Sequence, residues 1–227
     1  MDPVTATQSF YGRWARLYDV IATAPGVASW RRRAADSLDI DPGDTVVEMG
    51  CGTGANLPFL RERVGPDGTV VGIDVTRELL SRARERVERE GWTNVSVVQA
   101  DATQPPIEGP VDAVLGTFVV GMFPDPAEAV ADWCDLCPGG RVALLNFQPS
   151  DRLLARPLNL AFEGFVWISA PGWSLPEERP VAPFQRRVSA ARTALADRTV
   201  DRIYREFAGG YLGLVAGRVP KRSPSGE

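Results

Sequence analysis

The sequence predicts an α/β fold on an open seven-stranded sheet, mostly parallel with an antiparallel last strand and with helices on both faces. Three observations predict it. Short β-rich runs alternate with helical patterns between residues 45 and 147, the rhythm of strand–helix–strand units with right-handed crossovers. The first strand breaks into a loop with three glycines spaced two apart, T-V-V-E-M-G-C-G-T-G at 45–54. Two later β-rich runs, 200–207 and 211–219, are separated by Gly209-Gly210, which reads as a closing hairpin.

Helical patterns at 10–20 and 29–37 precede the first strand, 45–49. Gly50, Gly52 and Gly54 let the backbone turn sharply and approach a ligand that any Cβ would push away, and Gly54 is expected to open a helix at 55–63. Their spacing differs from the dinucleotide fingerprint G-x-G-x-x-G, and the acid Glu48 ahead of them would repel phosphate, so the loop suits a cation. Cys51 stands between two glycines, where packing needs a small residue. The second strand, 69–73, delivers Asp74 and Val75 to the same edge, and a helix at 77–90 leads to the third strand, 95–99, and to Asp101-Ala102. The fourth strand, 111–116, runs into Thr117-Phe118. A helix at 127–136 and Pro138-Gly139-Gly140 lead to the fifth strand, 141–147, and a helix near 184–197 precedes the hairpin. Four strand ends thus converge on one crevice, where open α/β sheets bind their ligands. Read singly, Asp74 and Asp101 serve equally well as helix N-caps.

The string V-V-E-M-G-C-G-T-G resembles the first motif of class I S-adenosylmethionine-dependent methyltransferases, which share a Rossmann-like fold, and the later strand ends match that pattern in order. The resemblance implies S-adenosylmethionine as cofactor. It assigns Glu48 and the backbone of Gly50, Cys51, Gly52 and Gly54 to the methionine end, Asp74 to the ribose hydroxyls with Val75 beside it, and Asp101 with the Ala102 N–H to the adenine. Thr117 and Phe118 take the position that holds the methionine end and opens the acceptor pocket.

Two regions bear on the acceptor. Y-G-R-W-A-R-L-Y-D at 11–19, N-L-P-F-L at 56–60 and F-P-D-P at 123–126 resemble bacterial phosphatidylethanolamine N-methyltransferases, while Tyr18-Asp19 followed by Ser29-Trp30-Arg31 is similar to the ubiquinone and menaquinone C-methyltransferases of the methyltransferase type 11 group. In those branches residues 1–40 would fold over the cofactor as lid helices, with Tyr11 or Tyr18 in contact with it; the bland alternative is an amphipathic helix packed on the core. The second region is the insertion at 148–183, long and apolar, which is expected to cap the pocket, to suit a hydrophobic or amphipathic acceptor and to permit peripheral membrane contact; a helix that merely covers the sheet is the alternative. Two departures stand out. Val119-Val120-Gly121-Met122 offers no polar group to a quinol oxygen, and Leu144-Leu145-Asn146-Phe147 lacks the histidine of the phospholipid branch.

The chain has no histidine, so any general base is a carboxylate, a tyrosine or water; Asp19, Asp125 and Glu163 are the acid–base candidates. Methyl transfer tolerates that lack, because the sulfonium is already activated and positioning supplies most of the acceleration. At 227 residues and 44% hydrophobic content the chain suits a single domain, 1–219, with a disordered tail at 220–227. A net charge of −4 argues against nucleic acid as partner, and Arg31-Arg32-Arg33 reads as a solvated helix face or a contact for phosphate or an anionic membrane. Three cysteines without histidine cannot assemble a four-ligand zinc site, so no metal is expected, and Cys134 and Cys137 read as buried thiols. No stretch reaches the ~18 apolar residues of a membrane span and no leader pattern is present, so a cytoplasmic location is expected. The G-x-G-x-x-G and terminal parallel strand of a nicotinamide-dependent oxidoreductase are both missing. A second reading is a catalytically silent subunit that binds the cofactor and a protein partner.

Overall fold

Near-continuous burial along the central strands, which helices cover on both faces, builds the architecture from the first strand outward. The computed structural model describes residues 25–149 and 181–221. In chain order the elements are α1 (Pro25–Asp36), β1 (Thr45–Met49), α2 (Leu57–Val64), β2 (Thr69–Asp74), α3 (Arg77–Glu90), β3 (Val95–Gln99), β4 (Ala113–Thr117), α4 (Pro126–Asp135), β5 (Arg141–Phe147), α5 (Val181–Arg198), β6 (Val200–Phe207) and β7 (Leu212–Arg218). Short 3-10 turns at Val120–Met122 and Ala208–Gly210 follow β4 and β6.

The seven strands form one sheet in the order β3-β2-β1-β4-β5-β7-β6. Pairings among β1 to β5 are parallel, and β7 runs against both β5 and β6. The strand order reverses at β1 and β4, which makes their carboxyl ends the switch point of the sheet. Neighbouring residues of one strand serve opposite faces: Val46 packs with Leu57, Leu60 and Ala34, whereas Val47 packs with Val130, Trp133 and Val188. One core therefore lies beneath α1, α2 and α3 and the other beneath α4 and α5.

Three local differences from the sequence reading have plain causes. Gly54 does not open a helix: its φ of +74° is left-handed, and α2 starts at Leu57 with Asn56 as its N-cap residue and a proline in the first turn. The fourth strand is Ala113–Thr117 rather than 111–116, because the Val111 N–H donates to Leu136 O and not to the ladder. The last hairpin closes through the 3-10 turn, in which Gly209 holds φ +66°.

Candidate active site

The glycine loop follows β1 and is pinned from beneath. The amides of Gly50 and Cys51 both donate to Ile73 O, at 2.8 and 2.9 Å, and Gly52 N donates to Asp74 Oδ2 at 2.9 Å. All three glycines hold left-handed φ values, +73°, +54° and +74°. At Gly50 a Cβ would stand 2.5 Å from Val119 Cγ2, and at Gly54 2.7 Å from Leu57 Cδ1. Close packing of the loop on its own protein, as well as room for a ligand, thus demands glycine. Cys51 is buried with its Sγ beside Gly72, where a Cβ would come within 2.9 Å of it.

Asp74 ends β2. Its Oδ1 accepts from Thr76 N at 2.8 Å and its Oδ2 from Gly52 N, so one carboxylate ties the start of α3 to the glycine loop. Burial pushes its carboxyl above the usual range, while the two amide bonds pull it back. Glu48, wholly buried on β1, accepts from Asn56 Nδ2 at 2.5 Å, and the same nitrogen donates to Thr117 Oγ1 at 2.9 Å. Burial raises Glu48 to about 8, against the downward pull of the Asn56 bond and the Arg31 charge. Around this junction Glu48 Oε2, Thr53 Oγ1 and Asn56 Oδ1 are buried without a hydrogen-bond partner among the described residues. All three oxygens can accept, so the cluster suits a ligand that brings donors and positive charge.

Arg31 joins the same junction. Far from lying on a solvated face, it is 4% exposed, donates from Nη1 to Thr117 Oγ1 at 3.1 Å and stacks over the Phe118 ring at 5.1 Å. Its exposed neighbours Arg32 and Arg33 stack over Phe59 and Phe207. The three arginines therefore dock α1 across three different elements. Phe118 itself holds φ +60° and stacks on Phe147 with centroids 4.5 Å apart. A strained residue at the tip of β4 marks this edge as functional.

At the third strand end, Asp101 is exposed and its Oδ1 accepts from both Thr103 N and Thr103 Oγ1 at 2.8 Å, an Asx turn that shapes the loop. Ala102 is buried, and its carbonyl accepts from Trp133 Nε1 at 2.8 Å. Trp133 also fills the space over Gly116, where a Cβ would stand 2.8 Å from its ring, so α4 locks two strand tips together. Val75 is half-buried just after Asp74. Asp125 is a structural acid: exposed, it caps α4 by accepting from Glu128 N at 3.0 Å. The cap gives it a structural task, and its role as acid–base catalyst stays a proposal. Asp19, Glu163, Tyr11 and Tyr18 lie outside the described residues, as do most of the insertion and the lid segment. Cys134 and Cys137 are buried thiols, pushed up to about 12 by burial, and stay protonated at neutral pH.

An acid-ended first strand, a left-handed glycine loop, a second acid at the next strand tip and unpartnered acceptors where phosphate groups would need donors define a cofactor crevice for a cationic nucleoside. Residues 46–140 match the family model of the methyltransferase domain. The chain is 35% identical over 150 residues to a phosphatidylethanolamine N-methyltransferase of Cereibacter sphaeroides, covering 65% of this chain and 70% of that one. It is 30% identical over 141 residues to a demethylmenaquinone methyltransferase of Shouchella clausii, covering 61% and 60%. In fold it is similar to the magnesium protoporphyrin IX methyltransferase of Synechocystis solved with bound SAH, with a TM-score of 0.63 at 17% identity over 96% of this chain and 100% of that one. Across the curated relatives it matches, the chain spans from 27% to 92% of their length. It belongs to the S-adenosylmethionine-dependent methyltransferase family, and S-adenosylmethionine is its cofactor.

Proposed function

We propose that the chain transfers the methyl group of S-adenosylmethionine to a small hydrophobic or amphipathic acceptor of the lipid, quinone or related aromatic class. The observation that carries the methyl-transfer reading is the cluster of buried acceptor oxygens at Glu48, Thr53 and Asn56 beside an intact second acid, Asp74. The bound cofactor supplies an electrophilic methyl on sulfur that leaves as S-adenosylhomocysteine. In this reading Glu48 faces the ammonium of the methionine end, with the backbone from Gly50 through Cys51 and Gly52 to Gly54 enclosing it. Asp74 and Val75 meet the ribose, Asp101 and Ala102 the adenine, and Thr117 with Phe118 borders the methyl. The acceptor gives an electron pair, a lone pair on nitrogen or oxygen or a π pair on carbon, to the methyl carbon and loses its proton to water or to a carboxylate, for which Asp19, Asp125 and Glu163 are the proposals. Retention of both cofactor acids disfavours a silent subunit.

The hydrophobic acceptor draws support from two relatives, one named for phosphatidylethanolamine and one for demethylmenaquinone. It also draws on the apolar tip of β4, where Val119, Val120 and Phe123 are buried and Met122 is 40% exposed. Residues 1–40 and the insertion at 148–183 serve in this proposal as lid and cap. No helix among the described residues is long and apolar enough to cross a membrane; the membrane contact in this proposal is a peripheral one. The test is transfer of labelled methyl from S-adenosylmethionine into a lipid extract and into polar metabolites. Label in lipid is expected, in a neutral band for a quinone and in a polar band for a phospholipid amine; label confined to water-soluble products overturns the hydrophobic acceptor.

A further inference from the structure

A buried chain of hydrogen bonds links the N-terminal helix to the glycine loop. Arg31 Nη1 of α1 donates to Thr117 Oγ1 at 3.1 Å, Asn56 Nδ2 donates to the same oxygen at 2.9 Å, and that nitrogen also donates to Glu48 Oε1 at 2.5 Å. Arg31, Thr117, Asn56 and Glu48 are all buried, at 4, 4, 0 and 0% exposure. Charges separated by so few links and shielded from water act on each other far more strongly than at a surface. Phe118 beneath the guanidinium keeps that charge in place.

The position of Glu48 is unresolved in energy until something binds. Its second oxygen, Oε2, has no hydrogen-bond partner among the described residues. If the carboxyl is protonated, its O–H finds no acceptor; if it is ionised, a full charge sits in a dry core with Arg31 two links away. The charged groups that act on it are Arg31 from α1 and Arg86 from α3, which favour ionisation, and Asp74 from β2, which opposes it. Cys51, close by, is held protonated by burial. Burial dominates the balance and places Glu48 near 8, so at neutral pH most of the ligand-free protein carries the proton.

We propose that Arg31 is a positioning residue for the cofactor site: through Thr117 and Asn56 it holds Glu48 ready to release its proton when a cationic ammonium arrives, so that cofactor binding and proton loss are one event. The inference rests on the reading of Glu48 as the counter-charge of the methionine end. The balance is simple. S-adenosylmethionine brings an ammonium, a sulfonium and a carboxylate, one net positive charge; one proton leaves Glu48 for solvent, so the net charge of the crevice is unchanged, whereas with S-adenosylhomocysteine, which lacks the sulfonium, it falls by one. Docking of α1 thereby becomes part of the cofactor site, although Arg31 belongs to no glycine loop or strand tip.

The test is calorimetric titration of S-adenosylhomocysteine, which keeps the ammonium and lacks the reactive methyl, in two buffers of different ionisation heat across about pH 6 to 8.5. Wild type is expected to release close to one proton at neutral pH, falling toward none as pH passes about 8. Arg31→Met is expected to lose affinity by about tenfold for each unit that Glu48 rises, with the deficit largest at the acidic end and shrinking as pH increases. Arg31→Lys, which keeps the charge, is expected to recover most of the wild-type profile. Binding by wild type without buffer-dependent proton release overturns the inference and leaves the cofactor assignment standing; that count needs no variant. An Arg31→Met deficit equal at every pH also overturns it, since a merely structural role predicts that outcome. Failure of wild type to bind S-adenosylhomocysteine at all brings down the reading of the crevice itself.

Discussion

Glu48 near the end of β1 and Asn146 near the end of β5 are both buried polar side chains, yet they sit on opposite faces of the sheet in opposite circumstances. Glu48 belongs to a junction of shared hydrogen bonds in which only acceptor oxygens are left over. Asn146, 1% exposed, has neither its nitrogen nor its oxygen paired among the described residues, although Gln148 two positions on donates to Tyr204 Oη, Glu206 Oε1 and Gly210 O. The difference teaches what each half of the carboxyl edge is prepared for. Around β1 the leftover polar atoms are acceptors, as the proposed cationic ligand requires; near the end of β5 the Asn146 amide has no hydrogen-bond partner among the described residues although Arg192 and Gln148 crowd Gly213, its neighbour across the ladder.

The comparison breaks most readily at Gly50. Gly50→Ala places a methyl against Val119 in a left-handed backbone, and the expected loss is about 3–5 kcal/mol of stability in urea unfolding; a near-neutral result would show that the loop can shift away. Next in size is the pH response of the ligand-free protein. Glu48 keeps its proton in the folded state between about 4.5 and about 8, where the unfolded chain gives it up. Stability should therefore fall by a few kcal/mol as pH rises through that window, and Glu48→Gln should flatten the slope in thermal melts; an unchanged slope in that variant would place the titration elsewhere. On the other face, Asn146→Leu removes an unpaired amide and should raise stability by about 1–3 kcal/mol, the cost of burying such a group. A loss instead would reveal a partner for Asn146. Smallest is Asp125→Ala, which should cost about 1 kcal/mol as a lost N-cap; intact turnover in that variant retires Asp125 as acid–base catalyst, and abolished turnover in a folded variant supports it.

The parallel core was legible because its signals are local. Strands of Val and Ile bounded by glycine and the Gly209-Gly210 break sit where propensity and periodicity place them, and the boundaries of α3, β5 and β6 coincide with those read from the sequence. The structural task of Asp125 had a local signal: Asp-Pro-x-Glu ahead of an apolar run is a capping pattern, and the structure uses it as one. Gly54 misled because a glycine after a strand can open a helix or merely turn, and contact with Leu57 and Ala83 decides the matter. Arg31, Asn56, Trp133 and Asn146 could not be singled out from their neighbours. Each acquires its role from residues tens of positions away, such as Thr117 for Arg31 and Ala102 for Trp133, and a run of three arginines looks the same whether or not one of them is buried.

The central claim is that the crevice over β1, β2 and β4 holds S-adenosylmethionine through its two acids. Calorimetric titration of S-adenosylhomocysteine into wild type and Asp74→Ala tests it most directly. One site is expected per chain, with the variant weaker by about 2–3 kcal/mol through loss of charge-assisted hydrogen bonds. Equal affinity in a variant that remains folded by circular dichroism would contradict the claim.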